Sequence, residues 1–462
     1  MGADGTAQPA LSQGREEPFL KAGFISLGCA KNLVDTEVML GLLAERHIEI
    51  TDDPGEAEIM IVNTCSFIDA AKEESIATIL QAAEYKQDGQ CRVLIVAGCL
   101  GQRYRQELLD ELPEVDAIVG TGAWHRVNEA IDAALAGRRV VIAGDSEAIY
   151  DHTMPRLVTT PAYSNYVKIA EGCSNRCSYC VIPRLRGNFR SRPLASVVAE
   201  VERLVVNGAR EINLIAQDTT SYGRDIYGEP RLAALLRELV KIEGLVWLRL
   251  LYCYPRYFTD ELIEVIATEP KICKYVDLPL QHAHDDILTA MNRRDSRADS
   301  ERLLAKIRTA IPGVAIRTTF IVGFPGETDE HFAALKEFVA TQRFDHVGVF
   351  TYSQEDETVA GSREDQVDEA VKQERYHELM ALQAKISEEL GAALVGRELT
   401  VLVEGTEEDG VARGRSYREA PDVDGRVYVE GAAAGPGEFV KARVVQGFAY
   451  DLLAERIEEG EK

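Results

Sequence analysis

Tyr166-Val167-Lys168-Ile169-Ala170-Glu171-Gly172-Cys173-Ser174-Asn175-Arg176-Cys177-Ser178-Tyr179-Cys180 joins an apolar run to three cysteines spaced C-x3-C-x2-C. The run reads as a strand and the cysteines as the loop that leaves it, so the thiols fall at a strand end. Three thiols on one loop can wrap a metal centre, because thiolates are soft ligands that favour zinc, copper(I) or iron-sulfur clusters. The spacing alone leaves zinc open. Structural zinc wants four protein ligands, usually in two separated pairs, and no second C-x2-C occurs in the chain. A cluster with one iron lacking a protein thiolate fits better, and an incomplete shell is how metal sites keep a position for substrate or cofactor. A surface loop of unliganded thiols is disfavoured because such cysteines oxidise readily.

Upstream, the same junction of strand and cysteine recurs. Phe24-Ile25-Ser26-Leu27-Gly28-Cys29, Ile59-Met60-Ile61-Val62-Asn63-Thr64-Cys65 and Val93-Leu94-Ile95-Val96-Ala97-Gly98-Cys99 are apolar runs that end in cysteine. Helical patterns follow, through Val34, Val38, Met39, Leu42 and Leu43 after the first, from about Asp69 to Tyr85 after the second, and after Arg103 for the third. Cys29, Cys65 and Cys99 lie 36 and 34 residues apart, one βα unit each. Right-handed crossovers put the C-terminal ends of parallel strands on one edge, so the three thiols should converge there. Strands at 117–119 and 139–142 would complete a small flavodoxin-like sheet. A flavin is not implied, since no Ser/Thr-rich phosphate loop is present and fold does not fix ligand.

Downstream, apolar runs at Tyr166–Ala170, Ile212–Ala216, Val246–Leu251, Val276–Leu280, Ile316–Val322 and Val347–Tyr352 alternate with helical patterns. Six such units predict a partial TIM-like (β/α) barrel with its site on the C-terminal strand ends, where Cys173 falls. Gly323-Phe324-Pro325-Gly326-Glu327 follows the fifth strand and opens a helix capped by Thr328, so its backbone amides could meet a polar ligand; a plain βα turn fits the same residues. His282 and His284 read as a polar loop, since His-x-His without carboxylates at set distances is a weak metal signal. Residues Asp365 to Leu394 read as an amphipathic packing helix. Cys91, Cys253 and Cys273 have no companions at ligand spacing and read as packing residues.

The chain has 462 residues, enough for two to four domains, and no run of 18 apolar residues. A soluble cytoplasmic protein with a disordered tail over residues 1–19 is expected. Nine cysteines fit metal ligands and buried thiols in a reducing compartment. The net charge of −25 works against non-specific nucleic-acid binding and suits a basic partner. Short strands at Glu398–Glu404, Gly410–Tyr417, Arg426–Val429 and Phe439–Ala449, with Gly, Asp and Pro turns, predict a small five-stranded antiparallel barrel. The expected organisation is an N-terminal domain at 20–145, a linker at 146–163, the barrel domain at 164–396 and the small barrel at 397–462.

C-x3-C-x2-C with Tyr179 before its last cysteine resembles the signature of the radical S-adenosylmethionine (radical SAM) enzymes. The resemblance implies that Cys173, Cys177 and Cys180 hold a [4Fe-4S] cluster whose fourth iron is chelated by S-adenosylmethionine, with Tyr179 near the adenine. These enzymes often carry Gly-Gly-Glu after the second strand to hold the methionyl amine. This chain reads Ala216-Gln217-Asp218-Thr219-Thr220 instead, and Gln217 and Asp218 are the substitutes; Gly323 and Gly326 are the other expected cofactor contacts. The small barrel resembles the TRAM domain, known as an RNA binder, but its nine basic and fifteen acidic residues favour a basic polypeptide. The whole ordered chain is similar to the radical SAM methylthiotransferases. Gly28-Cys29-Ala30-Lys31-Asn32, Ala216 to Thr220 with Tyr222-Gly223, and Arg317-Thr318-Thr319-Phe320 resemble the branch that modifies an aspartate of ribosomal protein S12. The tRNA-modifying relatives typically read Gly-Cys-Gln-Met-Asn and Gly-Gln-Asn-Val at the first two places. What the resemblance implies is a second [4Fe-4S] cluster on Cys29, Cys65 and Cys99 that delivers sulfur, no catalytic side chain beyond the cluster ligands, and an electron donor such as flavodoxin. The alternatives are a tRNA adenosine methylthiotransferase and a non-catalytic iron-sulfur RNA-binding module.

Overall fold

The computed structural model describes residues 20–144, 148–408 and 410–457. The expected tail over residues 1–19, and part of the expected linker, lie outside them.

The first sheet is built from β1 (Lys21–Ser26), β2 (Glu49–Ile50), β3 (Ile59–Thr64), β4 (Val93–Gly98), β5 (Ala117–Gly120) and β6 (Val140–Ile142), in the order β2-β1-β3-β4-β5-β6 with every neighbour parallel. This is the flavodoxin-type order with one more edge strand. Every residue of β3 and β4 is buried, as continuous apolar runs in a sheet covered on both faces require. Side chains alternate between two cores. Ile59, Ile61, Val93 and Ile95 pack with Val34 and Val38 of α1 (Ala30–Glu45), while Met60, Val62, Leu94 and Val96 pack with Ile79 of α2 (Asp69–Asp88) and Leu108 of α3 (Cys99–Glu111). The third helix starts earlier than its periodicity suggests: it opens on Cys99 itself and breaks at Arg105, where φ is 46°.

The central strands are β7 (Ser164–Lys168), the short antiparallel pair β8 (Ala170–Glu171) and β9 (Arg190–Ser191) that flanks the cysteine loop, β10 (Glu211–Ile215), β11 (Trp247–Leu250), β12 (Tyr275–Asp277), β13 (Ala315–Val322) and β14 (His346–Thr351). Two parallel sheets, β11-β10-β7 and β12-β13-β14, join through a single bridge between Leu248 and Ile272. The result is the expected open barrel of six parallel strands. Its outer face, with Val167, Leu214, Leu248 and Ile316, packs under the helices. Its inner face is different. Tyr166, Ile215, Trp247 and Tyr275 share one apolar cluster with α1 residues and with Leu402 and Ala420 of the C-terminal segment, so other parts of the chain fill the concave side.

The C-terminal segment closes a barrel of β15 (Glu398–Thr406), β16 (Ala412–Arg415), β17 (Val427–Glu430), β18 (Phe439–Gly447) and β19 (Leu452–Arg456) in the order β15-β16-β17-β19-β18. Its loop after β16 plugs the central barrel at the end away from the cysteines. Arg415 pairs with Glu211 at 2.7 Å, at the start of β10, and the Tyr166 and Tyr275 hydroxyls donate to Asp422 (3.0 Å) and Asp424 (2.6 Å). The helix Glu369–Ala392 packs as expected, but half its buried stripe is polar: Arg375 pairs with Glu327 at 2.9 Å and Gln383 donates to the Phe344 carbonyl. Cys91, Cys253 and Cys273 are buried in apolar clusters. Among the described residues no helix is long and apolar enough to cross a membrane.

Candidate metal centres

Cys29, Cys65 and Cys99 follow β1, β3 and β4, three neighbouring strands, and meet at one sheet edge. The approach is close enough to dictate sequence. Gly28 has φ +86°, and a Cβ there would lie 2.9 Å from the Cβ of Cys65, so the turn into Cys29 accepts only glycine without displacing a ligand. Asn32 laces the loops together, its Nδ2 donating to the Leu27 (3.1 Å) and Thr64 (3.0 Å) carbonyls. Ser75 of α2 accepts from the Cys65 amide and donates to its carbonyl.

The second triplet sits on the loop after β8. Gly172 has φ +77°, and a Cβ there would lie 2.3 Å from the Asn188 carbonyl oxygen. Hydrogen bonds fix the loop to the barrel rim: the Cys173 amide donates to the Gly187 carbonyl, Ser178 Oγ to the Ala290 carbonyl (2.7 Å), and Asn175 Nδ2 to Asp218 (2.8 Å). Tyr179 packs against the cluster of Ile287, Met291 and Phe324.

Neither cysteine triplet is drawn in to the spacing of a single tetrahedral ion. A tetrahedral zinc with Zn–S near 2.3 Å requires sulfurs about 3.8 Å apart. Among the described residues, the group whose ligand atoms all lie within 4.8 Å of one another is His284, Asp286 and His331; neither cysteine triplet qualifies. That histidine group is itself engaged in helix capping, since His284 and His331 accept through Nδ1 from the Asp286 and Thr328 amides. His282 is buried and accepts from the His284 amide.

Burial controls the thiols. It pushes Cys99 and Cys173 up to about 12 and raises Cys65 and Cys180. At Cys29 burial acts the same way, but Lys31 and then Arg186 outweigh it and leave the thiol below its ordinary value. Coordination would deprotonate such thiols outright.

One buried charge network joins the two pockets, and sequence reasoning missed it. Arg186 donates to Asn32 Oδ1, lies 3.9 Å from Cys99 Sγ, and pairs with Asp35 (3.1 Å) and Glu171 (3.0 Å). Lys168 pairs with the same two carboxylates, at 2.6 Å to Glu171. Burial alone would raise the Glu171 carboxyl, but Arg186 and Lys168 hold it well below the usual carboxylate range. Glu171 is two residues before Cys173. Cys99 also shares one small apolar cluster with Val181, the neighbour of Cys180, and Leu185. A second clamp closes the other side, where Glu355 of the central unit pairs with Lys72 (2.9 Å) and Arg103 (2.6 Å). No local spacing signals pairs so distant in the chain.

Of the remaining expected cofactor contacts, Gln217 donates to Glu171 at 2.8 Å and keeps its buried Oε1 without a hydrogen-bond partner. Asp218 departs from the expectation: it accepts from Asn175, Thr220, and the Ser221 amide and hydroxyl, which fills a carboxylate's acceptor sites. Gly323 and Gly326 depart from it too. Their amides are taken by Glu327 Oε2 (3.0 Å) and the Asp365 carbonyl (2.9 Å), because the loop folds onto Lys372 of the helix behind it. Arg293, absent from the expected set, is buried beside Cys177 and Tyr179 and lies over the Tyr254 ring at 4.2 Å.

Comparison with known proteins agrees with this geometry. Residues 21–120 match the uncharacterized protein family UPF0004, residues 167–339 the radical SAM superfamily, and residues 395–457 the TRAM domain. Among solved structures, the radical S-adenosylmethionine methyltransferase TsrM from Kitasatospora setae shares the fold at a TM-score of 0.56 and 16% identity over 74% of each chain. The ribosomal protein uS12 methylthiotransferase RimO of Heliobacterium modesticaldum is 53% identical over 97% of this chain and 98% of its own length, and that of Geobacter sulfurreducens 54% over 95% and 98%. Alike to these enzymes from end to end, the chain belongs to the RimO family of radical SAM methylthiotransferases.

Proposed function

We propose that this chain adds a methylthio group to the β-carbon of an aspartate in ribosomal protein uS12, the protein for which its relatives are named. The observation that carries the reading is the coupling of two incomplete thiol pockets through Arg186 and the apolar cluster of Cys99, Val181 and Leu185. When bound, the two [4Fe-4S] clusters supply the electron that cleaves S-adenosylmethionine to a 5′-deoxyadenosyl radical and the sulfur that is inserted.

The chain's own groups do the rest. Cys173, Cys177 and Cys180 hold one cluster, and Cys29, Cys65 and Cys99 the other. Tyr179 walls the first pocket. Gln217 Oε1, buried and unpartnered, accepts from the methionyl ammonium, and Arg293 receives the methionyl carboxylate; no carboxylate of the described residues lies within 4.0 Å of its guanidinium. Asp218 positions the cysteine loop through Asn175 rather than touching the cofactor. The salt-bridged clamps hold the pockets in register, which is where proximity contributes most. A low-potential one-electron donor such as a flavodoxin is the further partner this chemistry requires. The net charge of −25 suits a basic ribosomal protein.

Incubation of the anaerobically reconstituted enzyme with uS12, S-adenosylmethionine and reductant should give 5′-deoxyadenosine and a methylthio mass gain on one aspartate. Methylthiolated tRNA with unmodified uS12 would transfer the assignment to the tRNA-modifying branch.

A further inference from the structure

Ten lysines and arginines are buried among the described residues, and for eight of them a carboxylate lies within 4.0 Å: Lys168, Arg186, Arg192, Arg249, Lys372, Arg375, Arg415 and Arg418. Lys31 and Arg293 are the exceptions, one at each pocket. Lys31 is 6% exposed. Its ammonium lies 3.2 Å from the centre of the Tyr252 ring, and its other ionisable neighbours are the Cys29 thiol and the Arg186 guanidinium, itself a cation. A buried charge without a counter-ion costs several kcal/mol. A cation–π contact returns only about 2 kcal/mol of that, so the position fits a group that receives its anion from outside.

Tyr252 is aimed at this cation. It follows β11 at the C-terminal rim of the central barrel, with φ +61°, a backbone conformation that aromatic residues rarely adopt and that marks functional sites. Its amide donates to Asp277 Oδ2 (2.8 Å) and its carbonyl accepts from the Thr219 amide (2.9 Å). Lys31 stands on the first turn of α1, two residues after Cys29. The ammonium thus lies between the sulfur-delivering pocket and the barrel rim, where the reacting carbon must sit.

We propose that Lys31 is the residue that receives the carboxylate of the substrate aspartate, with Tyr252 holding the ammonium in place. The inference rests on the function proposed above and names its specificity determinant. The carboxylate carbon is bonded directly to the β-carbon that loses hydrogen, so gripping it beside Cys29 fixes that carbon next to the sulfur. A neutral isostere such as asparagine makes no ion pair with the ammonium.

The test is anaerobic binding of uS12, and of uS12 with the target aspartate replaced by asparagine, to the reconstituted enzyme by fluorescence anisotropy. A charged hydrogen bond of about 1.5–3 kcal/mol predicts that wild type prefers the aspartate form by about tenfold or more. Lys31→Met and Lys31→Gln should bind both forms equally, at the affinity wild type shows for the asparagine form, with iron content unchanged, and Lys31→Arg should restore part of the preference. A full preference surviving in Lys31→Met overturns the proposal. So does loss of iron in both neutral variants, which would make Lys31 a counter-charge for the Cys29 pocket. If wild type binds neither form, the uS12 assignment itself falls; if it binds and modifies both alike, only the role of Lys31 does.

Discussion

Arg186→Gln should weaken the fold and alter the Cys29 pocket in one step. Arg186 and Lys168 balance the charges of Asp35 and Glu171, and all four side chains are at most 7% exposed. Glutamine keeps a donor for Asn32 but removes one charge, which leaves a buried carboxylate uncompensated. Breaking a buried pair from one side costs about 3–5 kcal/mol. At about 2–4 °C per kcal/mol for domains of this size, the melting temperature of the anaerobic protein should fall by about 10 °C. Because Arg186 Nη2 lies 3.9 Å from Cys99 Sγ, its charge also favours the more negative, reduced form of whatever that thiol holds. The variant's auxiliary cluster should therefore titrate at a lower potential in an EPR-monitored redox titration, with a smaller change at the Cys173 cluster. Arg186→Lys should recover most of the stability and only part of the potential, since lysine lacks the fork that reaches Asn32 and Cys99 together. An Arg186→Gln protein that melts within about 2 °C of wild type, with both potentials unmoved, would refute the coupling.

Further outcomes follow from single contacts. Reconstitution should give about eight irons per chain; Cys65→Ala should hold about half and still release 5′-deoxyadenosine, whereas Cys177→Ala should release none, and equal loss of cleavage in both would contradict the assigned pockets. Gln217→Leu should weaken S-adenosylmethionine binding by about tenfold or more without changing iron content, read by equilibrium dialysis. Glu211 is buried, which by itself raises its carboxyl, yet Arg415 and Arg249 bring it down to about 2. Its pairing therefore stabilises the fold fully above the unfolded value near 4.3 and is lost as pH falls toward 2. At 1.36 kcal/mol per pH unit that is about 3 kcal/mol, so the difference in melting temperature between wild type and Glu211→Gln should shrink between pH 5 and 3.

The features legible in the sequence were those with local causes. Each cysteine triplet was visible, one as a motif and one as a βα repeat that puts successive strand ends on one edge. All six central strands were legible as apolar runs; β7, β10, β11 and β12 are buried along their whole length, and strands covered on both faces need continuous apolar residues. Short elements escaped. The strand Glu49–Ile50 is two residues long, and the fifth strand of the small barrel, Leu452–Arg456, follows a turn closed by the Phe448 amide on the Asp451 carbonyl, beyond the last run read as a strand, Phe439–Ala449. The glycine loop after β13 looked like a ligand cradle, but whether its amides are free depends on Glu327 and on Lys372 in a helix 49 residues downstream of Gly323. The charges that matter most, Asp35, Lys168, Glu171 and Arg186, pair across up to 151 positions, and no periodicity encodes that.

The placement of those charges explains how two sites on separate folding units act on one carbon. The first sheet and the central barrel each make half of the chemistry at a strand edge, and either half would be useless a few ångströms out of register. Apolar contact alone would tolerate sliding. Paired buried charges do not, because a shift that opens one of them leaves an unpaired ion in a dry interface. The clamps lie on both flanks of the pockets, Arg186 with Asp35 and Glu171 on one and Glu355 with Lys72 and Arg103 on the other. The third unit closes the far end of the central barrel through Glu211, Arg249 and Arg415. With the bottom plugged and the flanks tied, the route proposed for the substrate runs between the two cysteine-bearing rims, where Lys31 and Tyr252 stand.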